Sequence, residues 1–195
     1  MKPTMIVLAG PNGAGKSTLY QTRVAPNFNG PFINADIIQK EELHDSSPDA
    51  AYHAARIAAR RRADNLDQGK DFVTETVFSH PSKLELISEA RDKGFTVIVM
   101  HIGVETAYIS AARVLSRVDE GGHPVPEDKI RARYKRGGPL IRQAVLKADR
   151  GFVYDNSRLN TPPKRRLVFA NGRLKEAAPH LPDWMLRIYG ADLII

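Results

Sequence analysis

The chain has no cysteine. That excludes disulfides, thiolate nucleophiles and cysteine metal ligands, and it fits a reducing compartment. No apolar run is long enough to span a membrane. The four residues Met1–Thr4 before the first apolar run leave no room for a signal peptide, so the expectation is a cytoplasmic protein. Six histidines are present, but none are spaced as paired ligands on one helix face. There is one tryptophan, and no internal repeat or low-complexity stretch. What remains is ordinary for a globular chain: 195 residues, 42% apolar and 26% charged, suited to one domain over 1–195. Lys plus Arg number 29 against 22 for Asp plus Glu, a net +7. Such a balance marks a solvated basic surface, a taste for small anionic substrates, or nucleic acid.

The most informative stretch is Gly10-Pro-Asn-Gly-Ala-Gly-Lys-Ser-Thr18. It contains G-x-x-x-x-G-K-S, the pattern of a phosphate-binding loop. Its glycines allow backbone conformations in which successive N–H groups face one anion. Lys16 is placed to reach the β- and γ-phosphates of a nucleotide, and the Ser17 hydroxyl to bind Mg²⁺. Pro11, Asn12, Gly13, Ala14, Gly15 and Thr18 complete the expected ATP-binding segment. The setting is right: the apolar run Met5–Ala9 reads as a buried strand, and 18–23 can start a helix whose positive end faces the same anion.

Further strands are expected at 31–34, 71–76, 95–102 and 151–154, with helices at 37–43, 49–68, 81–93 and 105–118 between them. Ser47-Pro48 opens one helix and Gly94 closes another. This alternation predicts an α/β fold of the P-loop NTPase/kinase class, a mainly parallel central sheet flanked by helices. Leu167–Ala170, Asn171-Gly172 and Arg173–Lys175 predict a C-terminal β-hairpin. A short helix over 182–189 carries Trp184, read as a packing residue.

Ligands of such sheets sit beyond the carboxyl ends of the strands. Asp36 follows the second strand, where a carboxylate either takes a proton from an attacking hydroxyl or caps the next helix. The residues alone leave both open. Glu75 and Thr76 end the third strand. A strand carboxylate such as Glu75 calls for a partner: an acceptor substrate or a water on Mg²⁺ if it faces the site, solvent if it does not. Arg113, Arg117, Arg131, Arg133, Arg136 and Arg142 flank Gly121-Gly122-His123-Pro124-Val125-Pro126. That reads as a helical lid over about 113–142, with guanidinium groups for a transferring phosphate. The same run could serve as a nucleic-acid stripe, but it holds no aromatic beyond Tyr134.

The order of these motifs resembles the zeta toxin family: GPNGAGKST, INAD, TETVFSH, RVxxGGHxVPxxxIxxRY and VYDNS, running from Met5 to about Ser157. The family consists of P-loop kinases of toxin–antitoxin systems and small chromosomal relatives. The resemblance implies transfer of the ATP γ-phosphate to a hydroxyl of a UDP-sugar such as UDP-N-acetylglucosamine. Lys16 and Ser17 would hold ATP and Mg²⁺, Asp36 would be the base, and Glu75 with Thr76 would meet the acceptor. Arg117 and Arg133 would serve the transferring phosphate, with Arg113 or Arg131 as substitutes. It further implies a small antitoxin protein as a partner; no membrane is expected, while the net +7 charge keeps a polynucleotide or nucleoside kinase open, and a nucleotide-switch ATPase without a small-molecule acceptor is the other alternative. The chain is shorter than typical members, and its GGHxVP lid is that of the small relatives, so the reaction class carries over better than the acceptor.

Overall fold

The computed structural model describes residues 2–119 and 125–193, with 117–119 described by their backbone alone. The described residues hold seven strands: β1 (Thr4–Ala9), β2 (Phe32–Ile33), β3 (Phe72–Thr76), β4 (Thr96–Gly103), β5 (Arg150–Asp155), β6 (Lys164–Ala170) and β7 (Arg173–Ala177). They form one sheet in the order β2-β3-β1-β4-β5-β6-β7. The first five in that order are parallel; β6 and β7 are joined antiparallel. This is the expected α/β class, and the Asn-Gly hairpin is present: Asn171 and Gly172 take φ of 48° and 75°, the left-handed pair a tight hairpin turn requires.

Alternation along β1 explains the two layers. Met5, Val7 and Ala9 point into the larger core, with α3 (Pro48–Asp67), α4 (Ser82–Asp92) and α6 (Glu127–Lys147). Ile6 and Leu8 point the other way, against Ala14, Leu19 and Val24 of the loop and helix that follow β1. Every β1 residue from Met5 to Ala9 is buried, as befits a parallel strand covered on both faces. Each large side chain so placed contributes roughly 1.5–3 kcal/mol.

In α3, Ala50, Ala54 and Ala58 face inward while Arg56 and Arg60 lie in solvent. Ser47 caps this helix by accepting from the Ala50 N–H at 3.1 Å, and Gly94 closes α4 at φ 82°. The helix after β1 is short: α1 (Lys16–Leu19) passes at once into wider π-turns over Tyr20–Val24. The segment expected to form a lid holds two helices among the described residues, α5 (Ala107–Asp119) and α6; α6 runs through Pro139 without stopping. Residues 121–124, where the hinge of that lid is expected, lie outside the described residues. The helix α7 (Asp183–Tyr189) seats Trp184 and Tyr189 in the core, as the reading of Trp184 expected.

Candidate active site

The phosphate loop leaves β1 at Ala9 and enters α1 at Lys16. Gly13 and Gly15 take φ of 73° and 93°, conformations costly to any residue with a Cβ. Gly10 is required for another reason: a Cβ there would stand 2.1 Å from the Ile102 carbonyl oxygen of β4. Lys16 is buried, and its ammonium donates to the carbonyls of Gly10 and Pro11, each at 3.1 Å. Pro11 also accepts from the Ala14 N–H at 3.2 Å.

Pairing of β1 with β3 sets Leu8 beside Glu75 and Ala9 beside Thr76. Glu75 therefore arrives at the loop. Its carboxylate lies 3.6 Å from the Lys16 ammonium and accepts from the Ser17 hydroxyl at 3.2 Å. The Thr76 carbonyl accepts from Gly10 N–H at 3.4 Å, and its hydroxyl accepts from Phe78 N–H at 3.0 Å. That second bond supports a tight turn in which Phe78, fully buried, sits at φ 57°.

Asp36 lies one residue inside α2 (Ala35–Ile37) and is exposed. It does not cap the helix. Asn34 does: its side chain accepts from the N–H groups of Asp36 and Ile37, at 2.8 and 3.4 Å. The capping alternative for Asp36 is thereby corrected, because Asn34, in extended backbone at φ −134°, already fills the Ncap position. The Asp36 carboxylate is left for other partners.

The arginines separate by their partners. Arg131 is held by Glu127 one turn earlier, with bonds of 2.8 and 2.6 Å, as a surface pair. Arg142 forks onto Asp192 at 2.5 Å, tying α6 to the segment after α7. Arg113 donates to the carbonyls of Asn156 and Ser157, at 2.7 and 3.5 Å. Burial pulls its basicity down, and Asp155 partly restores it. These partners argue against Arg113 and Arg131 as substitutes on the phosphate. Arg133 pairs with no carboxylate among the described residues. It lines a narrow cleft with Pro11 of the loop, His101, Tyr134 and Trp184. The side chain of Arg117 lies outside the described residues.

Sequence reasoning missed what holds the far side of this cleft. His101, next to Ala9 across the sheet, is 2% exposed. Its Nδ1 shares a 2.7 Å hydrogen bond with the Tyr189 hydroxyl, and burial holds its pKa down at about 3. The Trp184 indole N–H donates to Asp155 at 3.0 Å, and Trp184 fits only because position 103 is glycine: a Cβ there would lie 2.4 Å from the ring. Asn156 also escaped notice as a loop contact; its amide donates to the Ala14 carbonyl at 2.8 Å. None of these three partnerships has a local signal, since each joins residues far apart in the chain.

Among the described residues no cluster of three or more His, Asp or Glu could hold a metal by itself. Ser17 and Glu75 nevertheless place two oxygen donors 3.2 Å apart at the loop, the hard oxygen chemistry Mg²⁺ accepts when phosphates supply the remaining ligands. No described helix is long and apolar enough to cross a membrane.

Sheet order, loop and glycine geometry define a P-loop protein of the NTPase/kinase fold. The sequence profile of the zeta toxin family matches residues 1–160, so the chain belongs to that family. An uncharacterized protein of Haemophilus influenzae is 30% identical over 139 residues, which are 69% of this chain and 94% of that one. Among solved structures, AvrRxo1-ORF1:-ORF2 with ATP superposes with a TM-score of 0.68 at 15% identity, over 89% of this chain. This chain spans only 60% of that one's length. The PezAT chromosomal toxin–antitoxin system of Streptococcus pneumoniae superposes with a TM-score of 0.67 at 16% identity, over 96% of this chain and 78% of that one. At such identities the likeness is one of fold.

Proposed function

We propose that this chain is an ATP-dependent kinase of the zeta toxin type, a single domain over 1–195. It transfers the γ-phosphate to a hydroxyl of a UDP-sugar such as UDP-N-acetylglucosamine, as a toxin countered by a small antitoxin. The observation that carries the reading is the convergence of Lys16, Ser17 and Glu75 at the ends of two neighbouring strands. The acceptor class rests on family membership.

In this mechanism residues 10–18 enclose the ATP phosphates, with the Gly13 and Gly15 N–H groups turned to them, and Lys16 leaves the carbonyls of Gly10 and Pro11 to neutralise charge on the β- and γ-oxygens. Ser17 would hold Mg²⁺, which would supply further charge neutralisation there. Glu75, 3.2 Å from the Ser17 hydroxyl, orients the metal side of the phosphates and, with Thr76, borders the acceptor. Asp36 takes the proton from the attacking hydroxyl as its oxygen bonds to the γ-phosphorus and the bond to the ADP oxygen breaks. Arg133, with Arg117, steadies the phosphoryl group in flight.

The test is purified protein with γ-labelled ATP, Mg²⁺ and a panel of UDP-sugars, nucleosides and RNA ends. Label on UDP-N-acetylglucosamine, lost in Asp36→Ala with ATP binding intact, is the expected result. Label on nucleosides or RNA ends keeps the kinase and replaces the acceptor. Label released only as free phosphate overturns the transferase reading in favour of an ATPase.

A further inference from the structure

The P-loop is gripped from outside by two side chains whose bonds fix its amides. The Ser110 hydroxyl, fully buried on α5, donates to the Asn12 carbonyl. The Asn156 amide, just past β5, donates to the Ala14 carbonyl at 2.8 Å. In a planar trans peptide the C=O of one residue and the N–H of the next point in opposite directions. Drawing the Asn12 oxygen outward therefore turns the Gly13 N–H inward, and drawing the Ala14 oxygen outward does the same for Gly15. Neither amide has an acceptor among the described residues, while the intervening Ala14 N–H is consumed by Pro11.

The fit leaves no slack on the outer side. A Cβ on Gly13 would stand 2.7 Å from the Ser110 carbonyl oxygen, and one on Gly15 would stand 2.5 Å from the Asn156 amide nitrogen. Asn156 is held in turn, since Arg113 donates to its carbonyl at 2.7 Å and its own N–H donates to Gly103 at 2.9 Å. Ser110 and Arg113 share α5, the helix that leads into the lid.

We infer that Ser110 and Asn156 are positioning residues that preset the Gly13 and Gly15 amides for the phosphates of the nucleotide. The inference rests on the nucleotide site proposed above. It places the cost of ordering these two peptide planes before binding, so the loop accepts an anion without rearranging. It also makes the loop's affinity depend on residues 98 and 142 positions from the carbonyls they hold.

The experiment uses the full chain with Ser110→Ala, Ser110→Thr, Asn156→Leu and the wild type. Dissociation constants are measured for ATP and for inorganic pyrophosphate, with backbone amide shifts of Gly13 and Gly15 recorded without ligand. Ser110→Ala should weaken both ligands about 10-fold and move the Gly13 amide more than Gly15. Asn156→Leu should weaken them similarly and move Gly15 more than Gly13. Ser110→Thr, which keeps the hydroxyl, should restore affinity. Unmoved amides with affinities within about 2-fold of wild type overturn the inference. Equal shifts at both glycines in both variants, tracking a lowered melting temperature, also overturn it, because that is the mark of general loosening. If the wild type binds neither ligand, the nucleotide reading fails, and the residue-specific amide shifts still decide whether the two side chains set the loop.

Discussion

The Ser17 hydroxyl donates to the Glu75 carboxylate at 3.2 Å, and the Lys16 ammonium stands 3.6 Å from the same group. A carboxylate at the mouth of a triphosphate site repels the nucleotide unless a cation intervenes. Glu75→Gln should therefore bind metal-free ATP about 5-fold more tightly than wild type, yet gain less from added Mg²⁺. ATP titrations with and without a chelator check this. Equal affinity changes under both conditions would remove Glu75 from the metal side of the site.

Asn34 accepts the two N–H groups that open the turn carrying Asp36. Asn34→Ala removes that cap at a cost of about 1 kcal/mol. Asp36 then loses its fixed approach, so phosphoryl transfer should fall while the ATP dissociation constant holds. A nucleotide titration beside a turnover assay separates the two. Loss of ATP binding in step with turnover would mean the turn serves the loop rather than the acceptor.

Arg133 and Arg131 lie two residues apart on α6 but differ in partners. Arg133→Ala should lower kcat on the order of 10³-fold, as loss of a phosphate-directed arginine does. Arg131→Ala gives up only a surface pair worth about 0.3–0.5 kcal/mol and should leave kcat unchanged. Reversed effects would assign the lid to the other helix face.

His101 stays neutral in the fold, its pKa held near 3 against an ordinary 6.5. The unfolded chain takes up a proton below pH 6.5 that the native state refuses. The stability owed to this residue is therefore complete above pH 6.5 and falls by about 1.4 kcal/mol per pH unit as the pH drops toward 3. Urea unfolding at pH 7 and pH 5 should show a loss in wild type that is smaller in His101→Gln. Parallel losses in both would place the acid sensitivity elsewhere.

Much of this architecture was legible in the chain because it is written locally. The phosphate loop, the apolar run of β1, the Ser47-Pro48 start of α3 and the Asn171-Gly172 turn each carry their signal within a few residues. The site divides differently. Lys16 and Ser17 are named by a motif, but the meeting of Ser17 with Glu75 depends on β1 pairing with β3 across 58 residues. Asn34 and Asp36 are both good capping residues, and only the extended backbone at Asn34 decides between them. The arginines of α5 and α6 look alike in sequence. Glu127, Asp192 and the Asn156 carbonyl distinguish them, and two of those three lie far along the chain. The helix α6 continues through Pro139, because packing of its buried face outweighs the one backbone bond a proline forfeits.

The sheet has two open edges, and they are blunted in different ways. β2 offers only two residues, Phe32 and Ile33, too short a row of backbone groups to template another strand. β7 is longer, but Arg173, Lys175 and Glu176 stand exposed along it, and charges so placed deter edge-to-edge pairing. Neither edge therefore offers a second chain a long, uncharged row of backbone groups on which to extend the sheet.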